Sequence, residues 1–146
     1  NGIALFALAG AAGAIASPIA GRVADRGWTK LATAFALILA IVAFLIGHFS
    51  GSGSLLALIT LTLSGIMLDF GVQTNLVLGQ RSIFALSAEH RSRLNGLYMA
   101  TFFGGGALGS ALGGWAYATG GWNLASWIGV AFPVIALLAF LTEREK

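Results

Sequence analysis

Between Lys30 and Arg81 the chain carries a single charged side chain, Asp69. A carboxyl group in so apolar a stretch can take up and release a proton or attract a polar solute. Exposing it to hydrocarbon is costly, so it must face protein or water. Thr62, Asp69, Gln73 and Gln80 follow at i, i+7, i+11 and i+18, a polar stripe along one face of a helix. Such a stripe can line a water-filled cavity and touch solute there. It is equally compatible with a packing acid satisfied by hydroxyls or amides of neighbouring helices, and residue types leave both readings open.

Other chemistries find little support. The chain has no cysteine, which removes disulfides, thiolate nucleophiles and cysteine-ligated metal. It has no H-E-x-x-H or G-x-S-x-G pattern, and an aspartyl site would need a second carboxylate beside Asp69. No enzyme activity and no cofactor are therefore expected. Gly104-x-Gly106-x-x-Gly109 spells a dinucleotide fingerprint, but no strand precedes it and no ribose-binding acid follows. His48 and His90 fall too far apart to share a metal and read as interfacial or solvated residues. Asn95 and Tyr98 are placed to reach the mouth of a cavity.

The elements that position these residues follow from the charge map. The eight basic residues fall in three patches, Arg22 to Lys30, Arg81 to Arg93 and Arg144 to Lys146. With 58% hydrophobic residues, 9% charged residues and a mean hydropathy of +0.89, the bilayer is the solvent and the fold is an all-α polytopic bundle. The small cationic surplus sits where inside-facing loops belong, so it calls for no nucleic acid. A transmembrane helix needs about 20 apolar residues. Division at the turn clusters gives five spans, at about 2–21, 31–48, 55–80, 94–117 and 124–141.

Taken alternately, these spans put all three basic patches on one side, which the positive-inside rule makes cytoplasmic together with the carboxy terminus. Trp115, Tyr117 and Trp122 then gather at the outer interface and Trp28 at the inner one. Gly47 to Ser54 turns the chain between spans two and three, and the run from Ala118 to Asn123 breaks four from five. Ser87 is a candidate N-cap for the helix leading into the fourth span, with Glu89 in its first turn. The chain opens on Asn1 without a basic leader, so residues 1–21 read as a span rather than a signal peptide.

Small residues suggest how spans pack. Gly13-x3-Ser17-x3-Gly21 recurs as Gly106-x3-Ser110-x3-Gly114, 93 residues later. Gly105, Gly109 and Gly113 add a second ridge beside it, and two such ridges allow another helix to approach closely. A three-helix unit explains the interval, and an odd number of helices makes successive units insert in opposite orientation, as in many secondary transporters. One helix of the first unit is then expected before Asn1. Pro18 and Pro133 are possible kinks.

Gly21-Arg22-Val23-Ala24-Asp25-Arg26-Gly27-Trp28-Thr29-Lys30 resembles the cytoplasmic loop motif of the major facilitator superfamily, roughly G-x-x-x-D-[RK]-x-G-[RK]-[RK]. Gly21, Asp25, Arg26 and Lys30 match in place, while Gly27 comes one position early and Trp28 and Thr29 depart from the pattern. Gln80 to Leu86 and Arg91 to Tyr98 resemble bacterial efflux-type members. The resemblance covers essentially the whole chain. It implies the eighth to twelfth helices of a transporter, an amino-terminal half lying elsewhere in the polypeptide, and the bacterial cytoplasmic membrane. It further implies proton-driven export of small organic solutes by alternating access, with the Asp25 loop making and breaking charged contacts. A non-transporting membrane scaffold or assembly subunit is the alternative, with a membrane-embedded enzyme behind it.

Overall fold

A computed structural model describes residues 2–50 and 53–143. Arg144 and Lys146 of the third basic patch, and Gly51 and Ser52 of one predicted turn, lie outside the described residues. Among the described residues all regular elements are helical: α1 (Gly2–Ala9), α2 (Ala11–Asp25), α3 (Thr29–His48), α4 (Leu55–Phe84) and α5 (Arg91–Thr142). Of these, α3, α4 and α5 are long and apolar enough to cross a membrane. The chain is an all-α membrane bundle.

Local chemistry sets most helix ends. The segment predicted as one span is divided at Gly10, whose N–H reaches back to Ala7 O in a tightened turn. Gly10 keeps right-handed helical dihedrals, so α2 continues the path of α1. At its other end α2 runs one turn past Gly21 and stops at a Schellman cap. Gly27 takes φ 77°, its N–H donates to Ala24 O at 2.9 Å, and the Trp28 N–H donates to Val23 O at 3.2 Å. This explains a glycine at position 27, because the left-handed residue must directly follow the helix's last half-residue, Arg26. Ser54 caps α4, accepting from the Ala57 N–H at 3.2 Å.

One sequence expectation is corrected. Ser87 does not cap the next helix: α5 begins at Arg91, and the Ser87 hydroxyl closes the preceding turn by accepting from the His90 N–H at 3.4 Å. The bend in α5 falls inside the predicted turn, at Gly121, whose φ of 66° and ψ of −159° break the helix into two limbs.

Contacts fix the directions. Ala36 lies against Gly71 while Ala43 lies against Ser64, so α3 and α4 are antiparallel. Tyr98 meets Leu76 and Asn95 meets Gln80, so the first limb of α5 is antiparallel to α4. Phe44 meets Gly129 and Gly47 meets Trp122, so the second limb is antiparallel to α3. Gly13 pairs with Asp69 and Gly21 with Arg81, so α2 runs parallel to α4. Asp25, Thr29, Arg81, Asn95 and Glu143 therefore share one end of the bundle, and the described cations gather there.

The buried apolar residues are mostly small: Ala16, Ala20, Ala36, Ala40, Ala43, Ala57 and Ala116, with Leu37 and Leu78. Large side chains such as Phe35, Ile38, Leu63, Ile66, Ile135 and Leu138 point outward. In lipid there is no hydrophobic gain from hiding leucine between helices, so close van der Waals contact between small faces holds the bundle together.

Candidate functional site on α4

At 30 residues α4 is ~45 Å long, against a hydrocarbon core of ~30 Å, and Asp69 stands at its middle. Helix α2 crosses α4 at this point. A Cβ at Gly13 would stand 2.5 Å from Asp69 Oδ2 and 2.7 Å from Gln73 Cγ, so the absent side chain makes the notch that receives both. Asp69 Oδ2 is shielded from solvent and has no hydrogen-bond partner among the described residues. Thr74 Oγ1 is the other such atom.

The rest of the stripe divides. Thr62 donates to Leu58 O of its own helix at 2.8 Å. Gln80 turns to α5, its Nε2 donating to Asn95 Oδ1 at 3.1 Å and approaching Met99 Sδ at 3.5 Å. Tyr98 fills the notch at Gly79 and donates to Leu76 O at 3.2 Å. Asp69 and Gln73 are thus brought together under α2, while Gln80 and Asn95 form a separate polar pair nearer the cationic end. A cleft of about 340 Å³ opens at that end, with Lys30, Asn75, Ser82, Tyr98 and Glu143 in its lining. Hydroxyls, an amide and both signs of charge suit it to water.

In the loop motif, Asp25 pairs with Arg81 of α4 at 2.5 Å. The Arg81 guanidinium also lies over Gly21, where a Cβ would stand 3.0 Å from it. Arg22 and Arg26 are exposed, and Lys30 is exposed at the rim of the cleft. The pairing of a loop acid with a cation 56 residues away was not visible in the sequence, where Arg81 read only as an orientation signal. Both partners are about half exposed or more, at 46% and 65%. Arg81→Ala is therefore expected to lower stability by no more than ~1 kcal/mol, as for other solvated ion pairs. A detergent-solubilised melting curve checks this.

The small-residue runs have unequal surroundings. Gly13 and Gly21 touch α4, and Ser17 donates to Gly13 O at 3.3 Å. At Gly105, Gly106, Gly109, Gly113 and Gly114 an added Cβ meets nothing within 4 Å, and Ser110 is exposed. Gly105, Gly106, Ser110 and Gly114 stand open among the described residues, while Gly109 and Gly113 line a cleft of about 230 Å³ together with Phe44, Gly129 and Phe132.

A polar cluster at the opposite end was missed. His48 Nδ1 lies 2.6 Å from Ser126 Oγ, and its ring stacks at a tilt on Trp127 with centroids 4.9 Å apart. The Trp122 indole N–H donates to Gly47 O at 2.8 Å. It is a second donor to a terminal carbonyl of α3 that also accepts the Ser50 N–H at 3.2 Å. Trp122 read as an interfacial aromatic, and the residue is still 42% exposed, but its polar edge clamps the second limb of α5 onto α3.

The chain belongs to the Major Facilitator Superfamily, whose family model matches residues 2–146. It is 37% identical over 121 residues to the uncharacterized transporter YgaY of Escherichia coli strain K12, a match covering 83% of this chain and 30% of the relative's length. The YgaY protein of Escherichia coli O157:H7 matches to the same extent. The chain thus spans less than a third of the curated relatives it matches. No solved structure matches it.

Proposed function

We propose that this chain forms part of the carboxy-terminal half of a secondary active transporter that moves small organic solutes across a bacterial cytoplasmic membrane by alternating access, coupled to protons in the direction of export. Family membership and the transporter relatives support transport as the class of activity. The observation that carries the coupling is Asp69, an ionisable group midway along a membrane-spanning helix whose Oδ2 has no hydrogen-bond partner among the described residues. A purely structural acid would be expected to hold a hydroxyl or amide, since leaving a buried polar atom unpaired costs about 1–3 kcal/mol.

The gathering of Arg22, Arg26, Lys30, Arg81, Arg91 and Arg93 toward one end supports that end, and the carboxy terminus with it, as cytoplasmic. Gln73 beside Asp69, and Thr62 and Gln80 along the same helix, extend the polar path that solute or water would follow. Gly105 to Gly114 would receive a helix of the remaining polypeptide, and the Asp25–Arg81 pair would break and re-form as the cytoplasmic end opens. The partners are the solute, protons and the lipid bilayer.

The test is solute accumulation by everted membrane vesicles containing the full-length protein, driven by an imposed proton gradient. Asp69→Asn is expected to reduce gradient-driven flux at least tenfold, the usual scale for losing an acid–base group (~10²–10⁴) being larger still. Undiminished proton-driven flux in that variant would refute the coupling role.

A further inference from the structure

We propose that Gly13 is the positioning residue for Asp69, and that α2 is the cover whose separation from α4 admits water to its shielded oxygen, Oδ2. The inference rests on the proton-carrying role of Asp69 proposed above, and adds a gate lying within this set of helices.

Three observations lead there. First, the contact is made by α2 backbone: with no side chain at Gly13, the helix surface itself closes over Oδ2, and a Cβ would stand 2.5 Å away. Second, what such a Cβ would strike is the tip of one side chain and the Cγ of another, Asp69 and Gln73. An alanine would accordingly move the carboxyl before it moved the helices. Third, Oδ2 is sealed with no donor to hold it among the described residues, while Asp69 as a whole is half-buried, so the notch rather than a hydrogen bond fixes the position of that oxygen.

No other ionisable side chain of the packed elements lies at this level. Helix α1 has none, the nearest on α2 are Arg22 and Asp25, and α4 has only Arg81 towards its end. Helix α3 carries Lys30 and His48 at opposite ends, and α5 carries Arg91, Arg93 and Tyr98 in its first turns and Tyr117 close to its bend at Gly121. Among the described residues, water is therefore the route by which a proton reaches Asp69. Oδ2 takes a proton from hydronium on one side while α2 stands away from α4, one O–H bond breaking as the other forms. It returns that proton to a water molecule on the other side in the alternate conformation, re-forming hydronium and the carboxylate.

Infrared spectroscopy of the purified full-length protein tests this without knowledge of the solute. The Asp69 carboxyl band is the one lost in Asp69→Asn, and its exchange in deuterated water reports access. Gly13→Ala is expected to shift this band and to speed its exchange about tenfold or more. Asp69→Glu, which pushes a longer side chain into the same notch with Gly13 intact, is expected to do likewise and serves if the alanine variant fails to fold. Gly10→Ala, whose Cβ would meet only Ala7 O of its own turn at 3.4 Å, is expected to leave band and exchange unchanged. Unaltered band and exchange in both Gly13→Ala and Asp69→Glu would overturn the positioning role while leaving proton binding at Asp69 intact. Absence of any band lost in Asp69→Asn would overturn proton binding itself, and the gate with it.

Discussion

Gly71→Leu is expected to destabilise the bundle by at least ~3 kcal/mol, at or beyond the upper end for overpacking. The reason is what stands opposite. A Cβ at Gly71 would lie 2.9 Å from the backbone carbonyl of Ala36 and 3.6 Å from the Ala40 nitrogen. Neither atom can swing aside as a side-chain tip can, so α3 and α4 must separate along their shared seam. With them goes the Ser64 hydroxyl bond to Ala43 O, at 2.6 Å and buried. Loss of the monodisperse peak in detergent, or a fall in melting temperature well beyond that of Arg81→Ala, would be the measured signature. A folded variant with unchanged melting would show that the seam is not close-packed.

Gly121→Val should be nearly as damaging, by a different route. The φ of 66° with ψ near −159° lies in a region essentially closed to residues with a Cβ, at a cost of about 1–3 kcal/mol. A β-branched residue would pull the backbone back towards straight helix and swing the second limb of α5 off α3. The Trp122 bond to Gly47 O and the His48–Ser126 contact would then be lost together. In a background with the other three tryptophans replaced by phenylalanine, Trp122 emission should move to the red as its indole becomes more solvated. An unshifted spectrum would mean the bend survives without glycine.

These two positions also mark what the sequence disclosed and what it withheld. The break near Gly121 was legible because glycine, threonine and asparagine cluster there between apolar runs. The all-α membrane class was legible because charge and hydropathy separate so cleanly. The seam at Gly71 was not. Its α3 face is Ala36, Ala40, Ala43 and Gly47, spaced i, i+4, i+7 and i+11, and alanine is both small and apolar. In a span already rich in apolar residues such a face looks like ordinary lipid-soluble helix, whereas the glycines of Gly105 to Gly114 announce themselves and yet meet nothing among the described residues.

The site shows the same division. Asp69 stood out because charge is rare in a membrane helix. That its carboxyl would meet the backbone of α2, and that Asp25 would choose Arg81 rather than its neighbour Arg26, depends on two helices running parallel. Spacing along one chain carries no record of which helix comes alongside another. His48 was read as a solvated edge residue because its partner, Ser126, is 78 residues away.

Helix α4 touches every other described helix, α1, α2, α3 and both limbs' element α5. That makes it the natural origin for measuring motion. A spectroscopic label on its solvent-facing end would sit in a common frame, and distances from it to labels on each neighbour would separate a swing of α2 alone from a rotation of the whole assembly. Labels paired between any two outer helices would confound those motions.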